Sequence, residues 1–207
     1  MHVKILNSRK KKENISKQKT TSFNFGNIYD VQSQNNVNHE NLEKWPKDTV
    51  AVIGDSMLSG SDEKRLSKGE KNVKVFCYPG AKIKDIKYHA IPILNKKPST
   101  IILHVGTNNA VQSTSREIIN DLLNLKHHLS TQLKGCRIII SEPTYRSDNG
   151  KACLTIHKVI EHLSQLKIDT MCNKNINSDH IGRKGLHLNT KGTVRLAMNL
   201  ISTIHRL

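Results

Sequence analysis

From residue 49 onward, apolar and polar positions fall into blocks of regular length. Four short runs, TVAVIGD (49–55), NVKVFCYPG (72–80), STIILHVGT (99–107) and CRIIISEP (136–143), are rich in β-branched and aliphatic residues. Each is closed by Gly, Pro or a polar turn, the pattern of strands buried on both faces. A weaker run, KIDTM (167–171), adds a further candidate. Between the runs the period changes to that of a helix. Over 82–97, Ile83, Ile86 and either His89 or Ala90 share one side, with Pro92 as a kink. Over 115–134, Ile118, Leu122, Leu125, Leu129 and Leu133 line up, with Ser115 as the cap. Acidic residues come early in that stretch and Lys and His late, as the helix dipole favours. Stretches 152–167 and 189–207 complete the helical set.

Strands alternating with helices predict a three-layer α/β/α sandwich around a parallel, flavodoxin-like sheet of about five strands. In such sheets ligands bind beyond the carboxyl ends of the strands. The residues with chemistry to offer gather there. The first run ends in Gly54-Asp55-Ser56, the second in Pro79-Gly80 and the third in Gly106-Thr107-Asn108-Asn109. A late GLHLN places His187 between two leucines, just before the last helix.

A serine hydroxyl is a poor nucleophile until a base takes its proton, and histidine is the side chain tuned for that near neutral pH. The attacked carbonyl develops an oxyanion, which needs convergent donors. The N–H groups of Ser56 and Gly80 and the side-chain amide of Asn108 can supply three. Glycine suits the second position because no side chain stands between backbone and substrate. The GxSxG elbow of the α/β-hydrolases does not surround Ser56. A nucleotide-binding reading of the same sheet lacks its phosphate loop, since neither GxGxxG nor GxxxxGK[ST] follows the first strand.

GDS after the first strand, Gly after the second, GTNN after the third and a late His together resemble the SGNH (GDSL-type) hydrolase family over about 48–207. IGDSMLSG, YPGAKIKDI, IILHVGTNNA and KGLHLNTKGT are more closely similar to the esterase-like domains in first-open-reading-frame proteins of animal non-LTR retrotransposons. The resemblance implies an esterase of small acyl groups that uses no metal or cofactor. It makes Ser56 the nucleophile and first oxyanion donor, Gly80 and Asn108 the remaining donors, and His187 the general base. Two positions depart from the family pattern. Three residues before the His, where the family usually has Asp, stands Lys184. Asp179 or Asp169 is then expected to substitute, or a backbone carbonyl holds the ring and leaves a Ser-His dyad. Asn109 stands where Asp usually follows the Asn, with a local effect on a loop anchor expected. Asp55, Asp179 and Asn109 are thus the candidate supporting residues. Among the other histidines, His104 reads as structural, His127 and His128 as helix surface, and His180 as the rival base.

Composition changes this picture at its edges. Residues 1–46 are polar and lack sustained periodicity, which marks a disordered, basic segment ahead of a hydrolase-like domain at 47–207. SRKKK (8–12) reads as a flexible tail or a polyanion patch, TTSFNFGNIYDV (20–31) carries aromatics that can clip onto a surface, and Trp45-Pro46 opens the domain. The formal charge is +16, of which the first twenty residues carry six, so the domain itself is basic. Such a surface attracts nucleic acid or an anionic membrane, and an inactive module binding them is the alternative to the enzyme. Cys77, Cys136, Cys153 and Cys172 show no zinc-site spacing. Cys77 and Cys136 read as small buried apolar residues. With no apolar leader and no run of membrane-spanning length, an intracellular address is expected. The segment 57–70, rich in Ser and Lys, is the main candidate for a substrate wall.

Overall fold

The structure, a computed structural model, describes residues 45–67 and 71–207. The runs 8–12 and 20–31 lie outside the described residues. Among those described, five strands form one parallel sheet: β1 (Thr49–Gly54), β2 (Asn72–Cys77), β3 (Thr100–His104), β4 (Arg137–Ser141) and β5 (Thr170–Met171), in the order β2-β1-β3-β4-β5. Six helices accompany them: α1 (Glu63–Leu66), α2 (Ile83–His89), α3 (Ile91–Leu94), α4 (Ser115–Gln132), α5 (Gly150–Gln165) and α6 (Thr190–Ile204).

Alternate residues of each strand serve opposite faces of the sheet. Ala51 and Ile53 of β1 and Ile101 and Leu103 of β3 pack with α2, α4 and α5. Val50, Val52, Ile102 and Ile139 pack with Leu66 of α1 and with Leu196, Leu200 and Ile204 of α6. The expected three layers are therefore present, with the sheet between two apolar cores.

The register decides where the loops emerge. Gly54, the last residue of β1, lies opposite Cys77 on one side and His104 on the other. The segments that follow β1, β2 and β3 thus leave the sheet side by side. Gly54 O accepts from Tyr78 N at 2.8 Å, and Asp55 N donates to His104 O at 3.2 Å, which extends the pairing one step into those loops.

Several local expectations are corrected. The stretch 82–97 is two helices, because Ala90 both ends α2 and caps α3. Pro92 stands in the first turn of α3, where its missing N–H has no intrahelical partner to lose. Thr114 rather than Ser115 caps α4: Glu117 N donates to Thr114 Oγ1 at 3.3 Å, and Thr114 N donates back to Glu117 Oε2 at 2.7 Å. β2 is not buried on both faces, since it is an edge strand, and only Val73 within it is buried. Cys77 is half-buried for the same reason, and Cys136 is half-buried at the approach to β4. Of the candidate substrate wall 57–70, the structure describes 57–67. A 3-10 turn and α1 occupy it, and Leu58 and Leu66 anchor it in the core.

Candidate active site

The first functional side chain is set by the turn that ends β1. Asp55 is 1% exposed and caps the 3-10 turn Ser56–Leu58, its Oδ1 accepting from Met57 N at 3.0 Å. That cap turns the chain sharply and leaves Ser56 half-buried at the sheet's rim. Burial pushes the Asp55 carboxyl up to about 6, against the Met57 N–H and the Arg146 charge, which both pull it down. Its Oδ2 has no hydrogen-bond partner among the described residues. Asp55 therefore acts on the serine through the backbone, as the residue that shapes its turn.

His187 reaches the same place from the far end of the chain. Its Nδ1 lies 3.3 Å from Ser56 Oγ, across a separation of 131 residues. The ring is carried by a tight loop in which Gly182 N donates to His187 O at 2.7 Å and Gly185 N donates to Gly182 O at 2.8 Å. Asn189 closes that loop by capping α6 through Gly192 N at 3.0 Å. The leucines flanking His187 lie against the core beneath α6.

Gly80 and Asn108 come from the two neighbouring loops. Gly80 has φ +78, a conformation that costs a residue with a Cβ, and the space beside it is open. Asn108 Nδ2 donates to Ala81 O at 3.1 Å, which pins the side-chain amide next to Gly80, and no second bond from that amide is made among the described residues. Asn109 turns the other way. Its Oδ1 accepts from Ile83 N at 3.1 Å and so ties this loop to the first turn of α2. No hydrogen bond among the described residues uses the N–H of Ser56 or of Gly80.

Neither carboxylate proposed from the sequence stands at His187. Asp169 pairs with Arg137 at 2.9 Å, beside the amino end of β4 and therefore at the opposite end of the sheet. Asp179 is exposed, and among the described residues its hydrogen bonds here are made by its backbone, to Asn177 Oδ1 and from Asn189 Nδ2. A third acid, Asp148, lies in the segment between β4 and α5, whose main chain meets the histidine loop: Ser147 N and Asp148 N donate to Gly185 O at 2.7 and 3.2 Å. Two bonds from Arg146, Nε to Oδ1 at 2.8 Å and Nη2 to Oδ2 at 2.6 Å, hold the Asp148 carboxyl below its ordinary range, and the nearby imidazole adds to that effect. Arg146 and Asp148 escape a sequence reading because they lie in SEPTYRSDNG, a loop without a recognisable catalytic pattern. The one available signal was its place, directly after a strand.

The other histidines are accounted for locally. His104 is buried, its Nδ1 lies 2.7 Å from Ser141 Oγ, and burial lowers its ring to about 4. His180 Nδ1 lies 2.7 Å from Asn177 Oδ1, so the rival base is held in its own turn. His127 is exposed and His128 half-exposed on α4. A cavity of about 480 Å³ between α5 and the segment 173–178, lined by Tyr145, His157 and Asn177, includes neither Ser56 nor His187.

A member of the lipolytic protein G-D-S-L family from Veillonella parvula superposes with a TM-score of 0.63 at 21% identity, covering 77% of this chain and 99% of that one. The chain carries the fold of the G-D-S-L hydrolases. A lipase/acylhydrolase from Enterococcus faecalis superposes with a TM-score of 0.61 at 15% identity, over 77% of this chain and 97% of that one. The psychrotrophic esterase EstA from Pseudoalteromonas sp. gives a TM-score of 0.59 at 12% identity, over 77% and 98%. No protein-family model matches the sequence, and no curated protein matches it. At these identities the likeness is one of fold. Among the described residues no helix is long and apolar enough to cross a membrane.

Proposed function

We propose that this protein is a serine hydrolase that cleaves carboxylic esters of small acyl groups. The observation that carries the reading is the 3.3 Å approach of His187 Nδ1 to Ser56 Oγ. His187 takes the Ser56 proton as Oγ attacks the ester carbonyl, and the resulting oxyanion is met by Ser56 N–H, Gly80 N–H and the free Asn108 amide hydrogen. Collapse expels the alcohol, which takes the proton from His187. Water then attacks the acyl-serine with His187 again as base, releasing the acid and restoring the hydroxyl. The G-D-S-L fold, shared with proteins described as lipases, acylhydrolases and an esterase, supports this chemistry. So does the sequence similarity of the four motifs to the esterase-like domains of retrotransposon proteins, which also favours a mobile-element origin.

The test is hydrolysis of p-nitrophenyl acetate together with labelling by a fluorophosphonate probe. Wild type is expected to turn over the ester and to be labelled at Ser56. Ser56→Ala is expected to lose labelling and at least about 10³-fold in kcat/KM, the scale set by loss of a triad nucleophile. Equal rates for the two proteins would exclude the mechanism.

A second, compatible reading concerns the exterior. Two adjoining grooves between α2–α3 and α4 share Lys87 and His128 and add Lys84 and Lys97. Tyr88, 69% exposed, stands over one of them. Cationic side chains beside an exposed aromatic ring suit a polyanion such as single-stranded nucleic acid or an anionic membrane surface.

A further inference from the structure

The peptide that joins Thr107 to Asn108 is held by a side chain from another loop. Thr107 is 1% exposed, and its carbonyl oxygen accepts from Arg146 Nη1 at 2.8 Å. No other donor reaches Thr107 O among the described residues, and the buried Thr107 hydroxyl makes no hydrogen bond there. Thr107 O and Asn108 N belong to one planar peptide unit, so fixing that oxygen fixes the plane from which the Asn108 side chain departs. The second hold on Asn108 is its own amide, which donates to Ala81 O at 3.1 Å. Together these two holds orient the amide, one from the main chain and one from the side chain.

Arg146 is suited to this task by its shape and by its anchorage. It is 3% exposed, and its Nε and Nη2 donate to Asp148 Oδ1 and Oδ2 at 2.8 and 2.6 Å. Two parallel bonds to one carboxylate set the plane of the guanidinium, which aims the remaining nitrogen, Nη1, at a fixed point. An ammonium on a flexible stem has no such plane. The carboxylate also supplies the countercharge that a buried guanidinium needs. The anchor is itself tied down, since Ser147 N and Asp148 N donate to Gly185 O in the histidine loop at 2.7 and 3.2 Å. Thr107 O, and with it Asn108, is thereby fixed relative to the main chain of the loop that carries His187.

We propose that Arg146 is a positioning residue for the oxyanion donor Asn108, acting through the Thr107 carbonyl. The proposal rests on the reading of Ser56 as nucleophile and Asn108 as donor. Arg146 touches neither substrate nor reacting atom. It holds the Asn108 amide where charge develops on the attacked carbonyl oxygen, so its loss is felt in the transition state more than in substrate binding.

The experiment is a double-mutant cycle on p-nitrophenyl acetate hydrolysis with wild type, Arg146→Lys, Asn108→Ala and the double variant, with thermal melts alongside. Asn108→Ala is expected to lower kcat by about 10²- to 10³-fold, the scale of one lost oxyanion donor. Arg146→Lys keeps the charge but not the fork, and is expected to lower kcat by about 10- to 10²-fold with KM within about threefold. In the Asn108→Ala background the same change is expected to cost less than about twofold, because the group that Arg146 positions is gone. A merely loosened fold predicts otherwise, with the same loss from Arg146→Lys in both backgrounds. Equal losses, or wild-type kcat in Arg146→Lys, overturn the positioning role, while an active wild type leaves the hydrolase reading standing. If wild type cleaves no ester and takes no fluorophosphonate label, the hydrolase reading fails and the positioning role falls with it. Should Arg146→Lys not fold, Asp148→Asn replaces it in the cycle, since it weakens the fork from its partly exposed side. Its loss in kcat is expected to shrink in the same way once Asn108 is absent, and a loss that Asn108→Ala leaves unchanged overturns the proposal.

Discussion

At the scale of single residues, two buried titratable groups flank β1 and β3 with opposite consequences. Asp55 is raised from 3.8 to about 6 by burial, so the folded protein holds its proton more tightly than the unfolded chain does. Its contribution is favourable below pH 3.8 and is lost as pH rises to about 6, a change on the order of 3 kcal/mol. His104 is lowered from 6.5 to about 4, so the folded state prefers the neutral ring. That contribution is present above pH 6.5 and is lost as pH falls toward 4. Between pH 4 and 6 the two slopes oppose each other. Denaturant titrations of Asp55→Asn across that window should show stability rising with pH, because of this opposed pair the histidine alone then remains. His104→Gln should show stability falling. Parallel curves for both variants and wild type would mean that these groups are not held as their burial implies.

At the scale of elements, the histidine loop closed by the isolated bridge Ile181–Leu188, just ahead of α6, depends on one backbone conformation. Gly185 has φ +76, and the close approach of Asp148 N leaves no room for a methyl group. Gly185→Ala therefore suffers twice, from strain and from collision with backbone that cannot rotate away. The expected result is a loss of at least about tenfold in kcat/KM and about 1–3 kcal/mol in stability. Kinetics and thermal melts measured side by side would show it. A variant indistinguishable from wild type would mean that the loop tolerates displacement from the 146–148 segment. The same element explains why GLHLN reads in the sequence as a histidine between two leucines. The leucines seat the loop in the core under α6, and the imidazole is what remains outside.

At the scale of the whole molecule, the basic exterior is separate from the serine. With a formal charge of +16, and Lys84, Lys87 and Lys97 lining adjoining grooves, binding to single-stranded oligonucleotide or anionic vesicles should weaken as salt is added. For oligonucleotide, log K against log salt should have a slope near −0.7 for each phosphate neutralised. Replacing Lys84 and Lys87 by Gln should flatten the slope by about one or more and leave ester hydrolysis unchanged. Absence of retention at low ionic strength on either partner would remove the reading.

The sequence by itself determined the alternation of strands and helices, and with it the sheet, because β-branched runs and helical periodicity are local consequences of burial. It also marked Ser56, Gly80, Asn108 and His187, since each interrupts an apolar pattern at the end of a strand or the entrance of a helix. Element boundaries moved where a local hydrogen bond outweighed the pattern, as Thr114 did over Ser115 in capping α4. The edge position of β2, and so the half-burial of Cys77, depends on strand order, which no run of residues encodes alone. Only the tertiary structure decided which segment meets the histidine loop. The segment 146–148, Thr107 and Gly185 are remote along the chain and meet through the loops after β3 and β4, and through main-chain bonds to Gly185 O that are indifferent to side-chain identity. Hydrogen bonding acts through space, so an unpatterned loop can brace a histidine loop whose own neighbourhood offers a lysine.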